Sequence, residues 1–204
     1  MLDTTSPEIV PHRRRSGSAD YIFLVNDARE PGDYVGQYGT VHERGVPTTA
    51  EVILNSNAAA VYDLVSHQAV QIQRANGLQS LTIPVTLGPC DGWLLMAVPK
   101  PIAIVSITGP DHGQRGETWT GEIRVLDADG KPLDAVIPLS VEIFDGDGRL
   151  AEFSGYYAAV HGALKLSLDI AANDQPGAWE IRVQELASGQ RQSSYFQVRR
   201  SPQK

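Results

Sequence analysis

Short runs of alternating apolar and polar residues, separated by glycine turns, constrain the fold of this chain more than any other feature of its sequence. The clearest runs are 139–143, 164–168 and 179–183. A period of two places the apolar residues on one face of a β-strand and the polar residues on the other. The turn pairs are Asn76-Gly77, Asp91-Gly92, Asp129-Gly130, Asp147-Gly148, His161-Gly162 and Ser188-Gly189. Because such pairs supply the positive φ angles of tight hairpin turns, the sequence predicts antiparallel β-structure.

The strand pattern predicts an all-β fold with two antiparallel β-sandwich domains in tandem. The 204 residues suffice for two domains of about 100 residues each. The best helical candidate, 57–65, is short and ends in β-branched residues, so little helix is expected. Strands are expected near 20–26, 48–55, 60–65, 69–73, 78–87, 92–98, 102–108, 117–127, 136–145, 149–154, 162–169, 178–186 and 191–198.

The domain boundary is predicted at two prolines, Pro99 and Pro101, which interrupt the strand pattern and restrict the chain to extended conformations. The N-terminal stretch is polar and carries the basic run Arg13-Arg14-Arg15, which is typical of a solvated tail. The predicted organisation is a disordered tail at 1–19, a first sandwich at 20–98, a linker at 99–101, a second sandwich at 102–199 and a C-terminal tail at 200–204.

Charge and composition argue against several classes of function. Seventeen basic and 24 acidic residues give a formal charge of −7, the wrong sign for neutralising phosphates, so no nucleic-acid partner is expected. The single cysteine, Cys90, forms no internal disulfide and is interpreted as an inert buried thiol. Residues 1–20 contain no signal-peptide core, and the apolar run 21–25 is too short for a membrane helix.

The sequence predicts no catalytic residue, cofactor or metal site. Its five histidines form no HxxxH pattern, and phosphate-loop and esterase motifs are lacking. Two segments, 127–130 and 145–148, have clustered carboxylates that resemble calcium loops. Neither continues to the glutamate of an EF-hand, and both fall where hairpin turns are expected, so we interpret them as turns.

The segment 27–47 is the most unusual part of the sequence, because it has four glycines and no clear strand pattern over a length that loops rarely reach. Exposed tyrosines beside hydrogen-bonding side chains could bind a sugar or a protein, or they could cover an open end of the sandwich. The candidate contact residues are Tyr34, Tyr38, His42 and Arg44 in this segment, and Trp93 as a further stacking platform.

Two stretches resemble a known family: 23–26 (FLVN) with 61–64 (VYDL), and 87–95 (LGPCDGWLL). They are similar to the C-terminal β-sandwich that follows the catalytic barrel in β-galactosidase-like multidomain glycoside hydrolases, over about residues 20–98. The remainder, 102–198, resembles immunoglobulin-like or macroglobulin-type domains of bacterial surface and secreted proteins. The residues that carry the second resemblance are 115–117, 125–133 and 176–183.

These resemblances imply a non-catalytic accessory or structural module of a carbohydrate-active protein, since the catalytic barrel alone needs about 250 residues. The implied partner is a catalytic glycosidase-like protein or a polysaccharide. If the chain is part of a longer product, the resemblance implies a periplasmic or extracellular location. The alternatives are a stand-alone carbohydrate-binding protein that uses the aromatic residues of 27–47, and a weak enzyme that uses the same segment.

Overall fold

The computed structural model of the chain describes residues 1–37, 39–74 and 79–200. The described residues form strands and turns without a helix, which confirms the predicted all-β fold. None of these residues form a helix long and apolar enough to cross a membrane. The chain divides into two compact units, Met1–Pro99 and Lys100–Lys204. This division falls inside the segment predicted to be the linker.

The first unit is a sandwich of two antiparallel sheets with a small additional hairpin. One sheet has the strand order β1-β6-β10-β9, the other has the order β2-β3-β11-β7-β8, and β4 pairs with β5. The strands are β1 (Leu2–Thr4), β2 (Ile9–Ser16), β3 (Ala19–Asn26), β4 (Arg29–Val35), β5 (Thr40–Gly45), β6 (Thr48–Asn55), β7 (Ala60–Asp63), β8 (Gln68–Ala69), β9 (Gln73–Arg74), β10 (Ser80–Leu87) and β11 (Gly92–Val98).

The core of the first unit lies between its two larger sheets. Every second residue of β3, β6 and β10 is buried there, as the period of two requires. Full burial of one such aliphatic side chain contributes about 2 kcal/mol to folding. The buried residues of these three strands include Ile22, Leu24, Val52, Leu54, Leu81, Ile83, Val85 and Leu87.

The second unit is one continuous ladder with the order β12-β14-β17-β16-β15-β18-β19-β13. Its pairs are antiparallel except for β13, which runs parallel to β19. The strands are β12 (Ile104–Thr108), β13 (His112–Gln114), β14 (Thr118–Leu126), β15 (Val136–Phe144), β16 (Gly155–Val160), β17 (Ala163–Asp169), β18 (Gly177–Glu185) and β19 (Arg191–Arg199).

This ladder folds back on itself and encloses the core of the second unit. A single residue pair, Val160 with Ala163, joins β16 to β17 and so connects the two halves. Trp119 on β14 stacks on Phe196 on β19 with ring centroids 4.6 Å apart, although four strands lie between β14 and β19 in the ladder. The buried Trp179 packs against the same phenyl ring. The ring contacts therefore place the two halves face to face, as in a sandwich.

The segments 127–130 and 145–148 are hairpin turns built in the same way. Asp127 Oδ1 accepts the N–H groups of Asp129 and Lys131 at 2.9 and 3.0 Å. Asp145 Oδ1 accepts the corresponding N–H groups of Asp147 and Arg149 at 2.9 and 2.8 Å. Among the described residues, no group of three or more His, Cys, Asp and Glu side chains is placed to hold a metal ion. Both carboxylates therefore stabilise the turn backbone.

The prediction of a disordered tail at 1–19 is wrong, because this stretch forms β1 and β2. The basic run lies on β2, where alternation places Arg13 and Arg15 on one side. Both guanidinium groups donate to Asp20 on β3, at 2.6 Å and 2.9 Å in the shortest contacts. Asp20 is buried, and Ser56 also donates to it. The arginines thus compensate a buried charge, which charge counting along the sequence could not detect.

The prediction of a strand at 149–154 is also wrong, because the strand lies at 155–160. Leu150 makes only an isolated bridge to Phe144. Ser154 closes the segment against the end of β15, since its Oγ accepts the N–H of Ile143 at 2.9 Å. The Ser154 hydroxyl thus takes the place of a backbone carbonyl as the partner of Ile143, and β16 begins only after it.

We predict that Asp20→Asn destabilises the first unit by about 2 kcal/mol near neutral pH, because it leaves the two arginines with a weaker, uncharged acceptor. Burial opposes ionisation of Asp20, but hydrogen bonds and charges from Arg13 and Arg15 outweigh it and lower the pKa of the carboxyl. The charged form therefore stabilises the fold above about pH 4, and this contribution is lost as the pH falls through the lowered pKa.

Urea unfolding from pH 2 to pH 7 measures this effect, with the exposed Asp33→Asn as the matched control. The stability difference between the wild type and Asp20→Asn should shrink as the pH falls. A difference that is constant over the whole range would contradict the assignment.

Candidate functional site

The segment predicted to be a loop at 27–47 is a β-hairpin, so that prediction is wrong. Strands β4 and β5 pair with each other and, among the described residues, with no other strand. The pairing shifts between Pro31 and Tyr34, where Gly32 and Asp33 lie opposite His42. An added Cβ at Gly32 would lie 2.5 Å from the carbonyl oxygen of His42, so the irregularity requires glycine there. The bulge and the glycines interrupt the alternation of apolar and polar residues, so the sequence did not predict these two strands.

The register separates the candidate contact residues onto two faces of the hairpin. Tyr34 pairs with Val41, and both side chains are exposed, at 76% and 42%. Since neighbouring residues of a strand point to opposite faces, His42 and Arg44 lie on the other side from Val41. The tyrosine and its expected hydrogen-bonding partners are therefore not brought together. Tyr38, the other candidate of this segment, lies outside the described residues.

The two faces of the hairpin differ in chemistry. We call the side that carries Tyr34 and Val41 the Tyr34 face. The Tyr34 ring lies over Gly39 near the turn, 3.4 Å from where a Cβ would be. The other side is called the His42 face. A depression of about 320 Å³ lies at the bulge, and its lining consists of Pro31, Gly32, Asp33, His42, Glu43 and Arg44.

Ion pairs connect the two strands of the hairpin. Arg29 on β4 contacts Glu43 on β5 at 2.5 Å and also Asp27 at 3.1 Å. Hydrogen bonds and charges of these two carboxylates raise the pKa of Arg29, and the hydrogen bond to Glu43 is the largest cause. Arg44 on β5 pairs with Glu30 on β4. Water screens these exposed and partly exposed charges, so the ion pairs add little to the stability of the fold and mainly fix the strand register.

The buried Asn26 anchors the base of the hairpin. Its Nδ2 donates to the carbonyl oxygens of Val46 at 2.8 Å and Gly88 at 2.7 Å, and its Oδ1 accepts the N–H of Ala28 at 3.1 Å. One side chain thus joins the end of β3 to both ends of the hairpin and to the turn before β11. Sequence reasoning noted Asn26 only as part of a family resemblance and assigned it no role. A polar residue that ends an apolar strand was the available signal.

Cys90 is exposed, which corrects its interpretation as a buried thiol. It lies in the turn between β10 and β11 with a positive φ of 55°. Its Sγ would lie 2.6 Å from a Cβ added at Gly45. The base of the hairpin therefore packs tightly on this turn, and glycine at position 45 permits the close approach.

Trp93 is not an exposed stacking platform. It lies on β11 opposite the buried Leu24, is half-buried and packs against the core of the first unit. Its indole N–H donates to Asp63. Burial opposes ionisation of Asp63, but the donors Ser66 and Trp93 and nearby backbone N–H groups outweigh it and lower the pKa of that carboxyl. The indole therefore has a structural partner in the first unit.

The second unit also exposes aromatic side chains. In the cluster 153–157, the Tyr157 hydroxyl donates to the Phe153 carbonyl oxygen at 2.6 Å, whereas Tyr156 is 84% exposed. Tyr195, which sequence reasoning missed, is 64% exposed, and its hydroxyl donates to Glu180 at 2.9 Å. The alternation along β19 was the signal that could have identified Tyr195 as an outward residue.

No family model and no curated protein matches the sequence. Solved structures with some likeness include a superoxide reductase (neelaredoxin) from Ignicoccus hospitalis, with 12% identity, a TM-score of 0.35, and coverage of 48% of this chain and 82% of that one. A PKD domain of a peptidase from a Thermoplasmatales archaeon has 20% identity, a TM-score of 0.31, and coverage of 49% and 95%.

The adhesin InvE of Yersinia pseudotuberculosis has 10% identity and a TM-score of 0.37, and the alignment covers 96% of this chain and 60% of that one. At such identities and scores, none of these three structures carries an argument about what this protein does.

We predict that Asn26→Ala destabilises the first unit by about 3 kcal/mol, because it leaves two backbone carbonyl groups and one N–H group without their buried partner. Urea unfolding measures the change, and the exposed Asn57→Ala is the matched control, with an expected change within about 0.5 kcal/mol. Equal stabilities of the two variants would show that Asn26 does not anchor the hairpin.

A second prediction concerns Glu185, a fully buried carboxyl at the end of β18. Its Oε1 accepts N–H groups of the following turn, from Ala187 at 3.1 Å and Gly189 at 2.8 Å. Burial nevertheless dominates and raises the pKa of Glu185. The folded protein therefore retains this proton to a higher pH than the unfolded chain does. The stabilising contribution is complete below about pH 4 and decreases as the pH rises through the raised pKa.

Glu185→Gln should remove this decrease, since the amide oxygen still accepts the turn N–H groups and no charge is buried. Urea unfolding of the second unit between pH 4 and pH 8 checks it, with the exposed Glu152→Gln as control. The same pH dependence in Glu185→Gln and the wild type would refute the assignment.

Proposed function

We propose that this protein is a non-catalytic accessory module that docks onto a protein partner through the Tyr34 face of the β4–β5 hairpin. The observation that carries the proposal is the exposed pair Tyr34 and Val41 on a hairpin that is anchored at its base by Asn26. Adjacent on the same face is the ion pair between Arg29 and Glu43. An aromatic anchor, an aliphatic neighbour and a polar rim form the usual composition of a protein–protein contact.

The anchored hairpin suits this role because a contact surface that is already ordered loses less conformational entropy on binding. Asn26 fixes the base, cross-strand ion pairs fix the register, and the bulge at Gly32 sets the local twist. A sugar site would instead need free hydrogen-bonding groups beside the aromatic ring, but His42 and Arg44 lie on the opposite face, and Arg29 and Glu43 are engaged in their ion pair. The geometry therefore supports a protein partner better than a sugar at this hairpin.

The class of partner comes from the sequence resemblance to sandwich domains of β-galactosidase-like glycoside hydrolases. We propose a catalytic protein of that kind, against which the module packs or which it holds at a distance. Stand-alone carbohydrate binding through the candidate residues of 27–47 is the alternative function, and a glycan array run beside the protein-binding experiment distinguishes the two.

We predict that the double variant Tyr34→Ala, Val41→Ser weakens binding to a glycosidase-like protein encoded beside this one by about 30-fold, as expected when a central aromatic contact is lost. Biolayer interferometry with the purified full chain measures the affinity. The variant His42→Ala on the opposite face, which leaves the cross-strand ion pairs in place, is the matched control, with an expected change below about threefold.

Absence of binding between the wild type and such proteins would overturn the proposal. A glycan array run in parallel tests the alternative. Saturable polysaccharide binding that is lost in His42→Ala, Arg44→Ala would favour the carbohydrate-binding function.

A further inference from the structure

A row of outward-facing side chains crosses four strands of the second unit. The register places Tyr156 (β16) opposite Ser140 (β15), Ser140 opposite Gln184 (β18), and Gln184 opposite Arg191 (β19). Directly opposed residues of neighbouring strands have side chains about 5 Å apart on the same face. The row therefore begins with an exposed aromatic ring, continues with a hydroxyl and a carboxamide, and ends with a guanidinium about 14 Å away.

The row borders a depression of about 360 Å³ on the face of this sheet. We call this depression the β15–β19 groove. Its side-chain lining is Ser140, Glu142, Arg182, Gln184, Arg191 and Ser193. Hydroxyl, carboxamide and charged groups dominate this lining, and such groups bind a ligand rich in hydroxyl groups better than an apolar one.

The two arginines of the groove differ in their partners. Arg182 forms an ion pair with Glu180 at 2.7 Å, and its guanidinium lies 4.4 Å from the centre of the Phe144 ring. For Arg191, the part of the chain that the structure describes supplies no carboxylate or other side-chain partner. Its planar guanidinium can therefore bind both oxygens of an incoming carboxylate.

Neighbouring contacts hold the groove in a fixed shape. Glu180 accepts hydrogen bonds from both Arg182 and the Tyr195 hydroxyl, so the wall of the groove on this side is ordered before any ligand binds. The charge and hydrogen bonds of Arg182, together with the Tyr195 hydroxyl, lower the pKa of Glu180, which stays ionised at neutral pH. Glu180 keeps Arg182 paired, and Glu142 lies directly opposite Arg182 on β15 and also acts on its charge. Both carboxylates therefore accompany Arg182, which leaves Arg191 as the cation that a ligand meets.

We propose that the β15–β19 groove binds an acidic oligosaccharide. A sugar ring stacks on Tyr156, its hydroxyl groups bond to Ser140 and Gln184, and the carboxylate of a neighbouring uronic-acid ring binds Arg191. This site lies wholly in the second unit and is independent of the docking role proposed for the β4–β5 hairpin.

The test is isothermal titration calorimetry of the full chain with a hexamer of galacturonic acid, with neutral maltohexaose and with a hexaglutamate peptide. The acidic sugar should bind with a Kd at or below about 1 mM, at least tenfold more tightly than either comparison ligand, and more weakly as salt is raised.

Arg191→Gln should weaken binding of the acidic hexamer at least tenfold, and Tyr156→Ala about fivefold or more. Arg124→Gln, which makes the same change at an exposed position on β14, is the matched control and should leave the affinity unchanged. Thermal unfolding midpoints of all three variants close to that of the wild type show that the fold is retained.

Four results would each overturn the proposal. The first is no binding of the acidic hexamer at millimolar concentration. The second is equal affinity for the acidic and neutral hexamers. The third is an unchanged affinity for the acidic hexamer in Arg191→Gln. The fourth is tighter binding of the hexaglutamate peptide, which would assign the groove to acidic protein segments instead.

Discussion

Both units depend on burying one face of every major strand between two layers. The period of two leaves a strand no other way to remove an apolar row from water while its backbone groups stay paired. In the first unit the rows of β3, β6 and β10 meet between two separate sheets. In the second unit a single ladder folds back on itself, so that Trp119 on β14 stacks on Phe196 on β19. The same constraint produces two different sheet arrangements.

Three buried polar side chains specify the less regular parts of the fold. Asp20 holds β2 beside β3 through two arginines, Asn26 joins the hairpin to the sandwich, and Glu185 binds the turn between β18 and β19. Burial of such groups is costly unless their hydrogen bonds are satisfied, so each one favours the arrangement that supplies its partners. Apolar packing alone would tolerate several positions for these segments.

The alternation that builds the core also builds the candidate binding surfaces. Residues that cannot face the core are arranged in rows across neighbouring strands, and these rows present different chemistry in the two units. On the hairpin of the first unit, the exposed row is apolar and aromatic around Tyr34. In the second unit it runs from Tyr156 to Arg191 and is polar between them. The proposed partners, a protein for the hairpin and an acidic sugar for the groove, follow from this difference.

The sequence by itself determined the all-β fold, the position of most strands and the turns at Asp127 and Asp145, because alternation and glycine turns are local properties. It did not determine β2 or the hairpin, whose stability comes from contacts such as Arg13 with Asp20 and Asn26 with Gly88. Gly88 is distant from Asn26 in the sequence, and Arg13 belongs to a polar stretch without an apolar strand pattern, so a local pattern could not predict either contact. Only the tertiary structure decided that Tyr34 and His42 lie on opposite faces, because one bulge sets the register.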